Sequence, residues 1–271
     1  MGTDPFRIRD HVADFDVIVS EIVQASAKVR ESIPMIADIA YGTGRNETVD
    51  LFFPAGPRKG LPVHMFIHGG YWRMWSKREY SCIAKTITDA GGIAVIVDYS
   101  LMPHVRMKVL VDQVTRAKDW VFAHIAEHGG DPSSVTVSGH SAGAHLASHL
   151  IRLDRSGTAI KGALLLGGIY DLRPLKTSFL QAEIALTDDE IERFTPLGHL
   201  HDPGCRIVLA VGEDETGPFH SQMEAFSNLL QEQGLPVFVE VIRGRNHMSS
   251  VRDLGIPGTD ASGILSRLLK S

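Results

Sequence analysis

The chain has 271 residues, 44% of them hydrophobic and 22% charged, which at ~100–200 residues per domain is one large domain or two small ones. This composition excludes a disordered tail protein, a collagen and a disulfide scaffold. Lys and Arg number 27 against 32 Asp and Glu, a formal net charge of −5, so the bulk electrostatics point neither to nucleic acid nor to an anionic membrane as partner.

The N-terminal stretch MGTDPFRIRDHVADFDVIVSEI is charged and lacks the apolar core of a signal peptide. No run of ~18 apolar residues offers a membrane span. Cys82 and Cys205 lie far apart, in neither metal nor redox spacing. Read as free thiols they suit a reducing compartment, and the expectation is a cytoplasmic protein. Residues 35–42 and 47–55 alternate apolar with polar side chains and read as an antiparallel edge hairpin. From residue 60 onward, apolar strand-length runs (61–68, 91–100, 133–139, 161–168, 205–212 and 236–242) alternate with amphipathic helical stretches (77–89, 109–128, 142–153, 219–233 and 262–269). Such alternation builds βαβ units, hence an α/β fold whose central sheet is mostly parallel with helices on both faces. Residues 171–203 break the rhythm with short helical signals and prolines. A connection that long in a compact domain reads as a small cap or lid. With no repeat, low-complexity tract or linker, residues 1–271 are expected to form a single domain.

Gly139-His140-Ser141-Ala142-Gly143 follows the strand VTVSG and opens the helix AGAHLASHLIRL. A G-x-S-x-G pattern in that strand–turn–helix setting lifts the serine hydroxyl clear of the sheet at a helix N-terminus, which makes Ser141 the candidate nucleophile. Its plainer alternative is a helix N-cap. His68-Gly69-Gly70-Tyr71-Trp72 ends the strand LPVHMFIH. There Gly69 shapes a loop whose Gly70 and Tyr71 amides, with that of Ala142, are candidate donors to an oxyanion. Tyr71, Trp72 and Trp75 stand near that hole as candidate walls for a flat substrate, though both tryptophans also suit packing of the loop.

A serine hydroxyl needs a base within hydrogen-bond reach. His247, in the loop RGRNHMSS after the last strand, returns to the carboxyl edge of the sheet and is the candidate. The orienting carboxylate falls between serine and histidine in chain order, and Glu213, Asp214 and Glu215 all qualify. His68 reads as a buried structural residue. His145 and His149 are four apart, but Leu146 stands where a zinc protease motif has Glu, so both read as packing residues. The chemistry assembled here needs no metal and no organic cofactor.

Together HGGYW (68–72), GHSAGAHL (139–146) and NHM (246–248) resemble the α/β-hydrolase superfamily over about residues 45–270. Within it they are similar to the kynurenine formamidase (arylformamidase) branch beside the hormone-sensitive-lipase-like esterases, as are GGIYDLRPL (167–175) and VDYSLMP (97–103). The resemblance implies a serine hydrolase that cleaves a small-molecule carboxylic ester or aryl formamide through an acyl-enzyme, and a homodimer. It implies Ser141 as nucleophile, His247 as base and Glu215 as acid, counted back from Phe219 or forward from Gly212, with Asp214 in reserve. The family usually has Asp at the acid position and Phe where this chain has Met248. A thioesterase, or a ligand-binding protein that keeps the fold without catalysis, are the other readings.

Overall fold

The computed structural model describes residues 3–153 and 159–270. Among these, eight strands form one sheet in the order β1-β2-β4-β3-β5-β6-β7-β8. The strands are β1 (Met35–Ala40), β2 (Thr48–Phe52), β3 (Leu61–Ile67), β4 (Ile93–Val97), β5 (Gly130–His140), β6 (Gly162–Leu166), β7 (Arg206–Gly212) and β8 (Val237–Ile242). β1 and β2 are antiparallel to their neighbours, as their alternating pattern predicts, and β3 through β8 are parallel. β4 and β6 are buried along their whole length. That is why they read as continuous apolar runs: helices cover both faces of a parallel sheet.

The helices are α1 (Phe15–Ser32), α2 (Ala84–Asp89), α3 (Met107–His124), α4 (Ala142–Leu150), α5 (Leu180–Ile184), α6 (Asp188–Phe194), α7 (Gly217–Glu232), α8 (His247–Leu254) and α9 (Asp260–Leu269). α4 and α9 both pack on β6 and β3, while α1 lies against α8 and α8 against α9. None of the helices among the described residues is long and apolar enough to cross a membrane. Cys82 and Cys205 are both buried free thiols.

Two elements go beyond the sequence reading. α1 occupies a stretch read only as charged and leaderless, and it buries Ile18, Ile22, Ser26 and Val29, positions four, eight and eleven apart on one helical face. Residues 247–250, read as part of the loop RGRNHMSS, open α8. Asn246 caps it by accepting from the Met248 and Ser249 amides.

The 171–203 connection leads from β6 towards β7. It forms a turn at Arg173–Thr177, then α5, α6 and a turn at Pro196–Gly198. Arg106 pairs with Glu190, and His145 Nε2 lies 2.8 Å from the Phe194 carbonyl, so the segment is held against α3 and α4. None of its residues lines the pocket at Ser141, whereas Ile8 and Phe15 from the N-terminal segment do.

Candidate active site

In an open parallel sheet, ligands gather outside the carboxyl ends of the strands. Here the segments that follow β3, β5, β6, β7 and β8 converge at that edge, because Ile67 pairs with Gly139, His140 with Leu166 and Gly212 with Ile242 across neighbouring strands. Ser141 stands on the turn between β5 and α4 with φ 55° and ψ −120°. A non-glycine residue there stores of order 1–3 kcal/mol of strain and persists only when its surroundings hold it. They do: the Ser141 amide donates to the Leu166 carbonyl at 2.9 Å. A Cβ on Gly139 would meet the Gly143 carbonyl oxygen at 2.2 Å, and one on Gly143 would meet that of Ile67 at 2.1 Å. The glycines of the motif thus let α4 seat its first turn on the end of β3.

That seat brings the His68–Trp72 loop to the serine. A Cβ on Gly69 would sit 2.8 Å from the His140 carbonyl oxygen and 3.3 Å from Ser141 Cβ. Gly70 has φ +108°, and a side chain there would strike the Met74 carbonyl oxygen at 2.3 Å. Tyr71 and Trp72 follow at φ 55° and 59°, a second strained stretch beside the first. Among the described residues, no hydrogen bond takes up the backbone N–H groups of Gly70, Tyr71 or Ala142. His68 is the buried structural residue expected. Its ring stacks on Tyr99 with centroids 4.2 Å apart, its Nδ1 lies 2.8 Å from the Gly69 carbonyl, and the Tyr99 hydroxyl donates to the His68 carbonyl at 2.8 Å.

The three candidate acids differ in burial. Glu213 and Asp214 are exposed, whereas Glu215 is buried. Glu215 Oε2 accepts from His247 Nδ1 at 2.7 Å, and Oε1 accepts the Gly212 amide at 2.9 Å. This pairing sets the tautomer: the proton on Nδ1 leaves Nε2 as a bare acceptor. His247 is the first residue of α8, and its ring is gripped between Phe219 and His140, with centroids 4.4 and 4.5 Å away. Gly167, at the end of β6 with φ +53°, completes the enclosure, since a Cβ there would lie 3.0 Å from His247 Nδ1 and 3.1 Å from Glu215 Oε1. The sequence reading gave Gly167 no role of its own; its signals were a glycine pair at a strand end and its place in the GGIYDLRPL stretch similar to the formamidase branch.

Ser141 and His247 line one pocket, and among the described residues no hydrogen bond joins their side chains. Such bonds commonly tighten only when substrate binds. The pocket walls include Gly70, Tyr71, Met74, Trp75, Tyr80, His140 and Met248. Its free space is about 20 Å³, room for little more than a water molecule.

Trp75 lines the pocket at Ser141. Trp72, the other candidate wall, does not. It is fully buried, its Nε1 donates to His145 Nδ1 at 3.2 Å, and its ring meets that imidazole edge to face at 5.1 Å. Left-handed backbone at Trp72 turns the indole into the body of the protein, where it braces the loop. His145 and His149 are buried packing residues, as read. Burial pushes the His145 imidazole down to about 4, so it stays neutral and accepts the indole N–H. Among the described residues no group of His, Cys, Asp or Glu is placed to hold a metal ion.

Residues 64–250 match the family described as alpha/beta hydrolase fold. The kynurenine formamidase of Danio rerio is 30% identical over 98% of this chain and 92% of its own length, and that of Salmo salar is 30% identical over 88% and 84%. An esterase of Pyrobaculum calidifontis has a solved structure that superposes with a TM-score of 0.75 at 19% identity, covering 94% of this chain and 92% of that one. Strained serine at a strand–helix turn, paired histidine and carboxylate at the same sheet edge, and the match over two thirds of the sequence agree: the chain belongs to the α/β-hydrolase family.

Proposed function

We propose that this protein is a serine hydrolase that removes a short acyl group from a carboxylic ester or an aryl formamide. The observation that carries the proposal is the buried Glu215–His247 pair, 2.7 Å apart, in the pocket that holds the strained Ser141. His247 Nε2 takes the hydroxyl proton as Ser141 Oγ attacks the substrate carbonyl. Negative charge then grows on the carbonyl oxygen, where the Gly70, Tyr71 and Ala142 amides await it, each such donor lowering the barrier by ~3–4 kcal/mol. His247 returns the proton to the leaving oxygen or nitrogen as that bond breaks. Water then repeats the sequence on the ester formed at Ser141, releasing the acid and restoring the hydroxyl. Glu215 holds the His247 ring through Nδ1 and steadies the imidazolium. No step requires a metal or an organic cofactor.

A formamidase reading draws support from the relatives named kynurenine formamidase, which align over most of the chain. The buried free thiols support the cytoplasm as its compartment.

The test pairs turnover of p-nitrophenyl acetate and N-formylkynurenine with labelling by a fluorophosphonate. Ser141→Ala is expected to abolish turnover and labelling while the protein stays folded. A variant that keeps its rate refutes the mechanism, and an unaltered protein that neither labels nor turns over would be a ligand-binding member of the fold.

A further inference from the structure

His145 belongs to the GHSAGAHL stretch, yet the mechanism gives it no part. Its side chain is fully buried and both ring nitrogens are engaged. Trp72 Nε1, which can only donate, lies 3.2 Å from Nδ1. The Phe194 carbonyl, which can only accept, lies 2.8 Å from Nε2, with His149 Nε2 farther off at 3.4 Å. The proton therefore sits on Nε2, and Nδ1 is a lone pair aimed at the indole. Burial keeps the ring neutral, so that lone pair stays open to Trp72.

The loop that carries two of the oxyanion donors needs such a partner. The Gly70 carbonyl accepts from the Arg73 amide at 3.0 Å, and the two residues between them, Tyr71 and Trp72, have φ 55° and 59°. That is the φ pattern of a type I′ turn, whose central positions normally go to Gly, Asn or Asp. Two bulky aromatic residues there are strained, and such backbone persists where its surroundings over-determine it. The Tyr71 hydroxyl is tied to Phe6 and Ile8 in the N-terminal segment, the Trp72 carbonyl accepts from the Met102 amide at 2.8 Å, and the Trp72 indole is held by His145. Of these ties, only the last reaches the helix of the nucleophile. His145 stands one turn along α4, where its amide donates to the Ser141 carbonyl at 3.1 Å. The amides facing the oxyanion come from two segments, Gly70 and Tyr71 in the loop and Ala142 at the start of α4. Their spacing depends on how the loop is fastened to α4.

We infer that His145 is a positioning residue for the oxyanion hole, holding the Trp72 indole so that the loop amides and the Ala142 amide converge on one point. The inference rests on the hydrolase reading and deepens it. His145 touches no substrate. What it supports is felt in the transition state, where charge gathers on the carbonyl oxygen, so its loss lowers kcat and leaves KM in place.

The test measures kcat and KM on p-nitrophenyl acetate well below the melting temperature of each variant. His145→Leu removes both ring nitrogens. His145→Asn keeps an acceptor near the place of Nδ1 and gives up the bond to Phe194, whereas Trp72→Phe removes the indole donor and leaves that bond intact. His145→Leu and Trp72→Phe are each expected to lose about tenfold or more in kcat, towards the ~10² that a misplaced oxyanion donor costs, with KM within about twofold. His145→Asn should keep kcat within about threefold although its melting temperature falls. Combining His145→Leu with Trp72→Phe should cost no more kcat than the worse of the two alone, since both break one contact. A kcat that falls with melting temperature in every variant, His145→Asn included, or that is unchanged in His145→Leu and Trp72→Phe, would make the contact structural and overturn the inference. Should His145→Leu fail to fold, Trp72→Phe decides. In either case a parent whose turnover vanishes in Ser141→Ala leaves the hydrolase reading standing. A parent that neither turns over the ester nor labels with the fluorophosphonate overturns that reading and this inference with it.

Discussion

Glu215→Gln is the most informative single perturbation, because it keeps the shape of the side chain and changes only what its two ends donate or accept. In the native site both carboxylate oxygens accept, Oε1 from the Gly212 amide at 2.9 Å and Oε2 from His247 Nδ1 at 2.7 Å. Glutamine has one oxygen for these two donors. If the oxygen stays with Gly212, its NH₂ faces Nδ1, which must give up its proton; the proton moves to Nε2, and the base is lost. If the oxygen turns to His247, the NH₂ opposes the Gly212 amide, leaving a buried donor unpaired at ~1–3 kcal/mol, and the imidazolium loses its counter-charge. The first arrangement costs less, and kcat is expected to fall by about 10⁴, as when the orienting carboxylate of such a triad becomes an amide, or ~5.5 kcal/mol of barrier. The assay is kcat on a short-acyl aryl ester, with melting temperature as the folding control. Asp214→Asn, at an exposed position, serves as the comparison and is expected to stay within twofold. A Glu215→Gln enzyme within tenfold of the parent, or an Asp214→Asn enzyme equally crippled, would refute this reasoning.

Gly69→Ala places a methyl group 3.3 Å from Ser141 Cβ and 2.8 Å from the His140 carbonyl, so kcat should drop by ~10², the usual worth of a displaced oxyanion donor. Trp72→Phe removes the donor to His145 Nδ1; stability should fall by ~1–3 kcal/mol in a urea titration, with KM unchanged because the indole does not reach the pocket. Tyr71→Phe unties the Phe6 carbonyl and the Ile8 amide, which should loosen the N-terminal wall and raise the ratio of butyrate to acetate ester turnover. Burial lowers the imidazoles of His64 to about 3, and of His145 and His201 to about 4. Each is neutral when folded and protonates on unfolding, so the unfolded chain binds more protons below the ordinary histidine value near 6.5. Stability should therefore be full above about pH 7 and decline from pH 6.5 towards 4, by up to ~1.4 kcal/mol per pH unit for each group. Unfolding free energies that stay flat across that window would count against neutral burial.

The parallel sheet was legible because burial on both faces leaves runs such as GGIAVIVDYS with almost no polar residue, and turn glycines punctuate them. α1 was equally legible in principle: Ile18, Ile22 and Val29 sit at helical spacing, but the charges between them drew attention to what the segment lacks. The start of α8 was written in Asn246 and Ser249, three apart as in a capping box, so the loop assigned to His247 missed a local signal. Gly167 was different. Its reason for being glycine is a carboxylate and an imidazole arriving from β7 and α8, and nothing in the neighbouring sequence states that.

The same distinction separates the parts of the site. Ser141, the Gly69-Gly70 pair and His247 announce themselves because backbone geometry demands particular residues around them, and local demands leave local patterns. The walls of the pocket obey no such rule. Trp72 and Trp75 are three residues apart with similar chemistry, yet one braces the loop against His145 and the other lines the pocket at Ser141, since left-handed residues decide where each indole points. Ile8 and Phe15 reach the pocket through contacts distant in sequence, the Ile8 amide donating to Tyr71 Oη and α1 packing on α8. Chemistry on a shared acyl-enzyme scaffold is therefore readable from short motifs, whereas selectivity is set by long-range contacts. Substrate discrimination should respond to Tyr71, and the rate of the bond-breaking step to Ser141, Glu215 and His247.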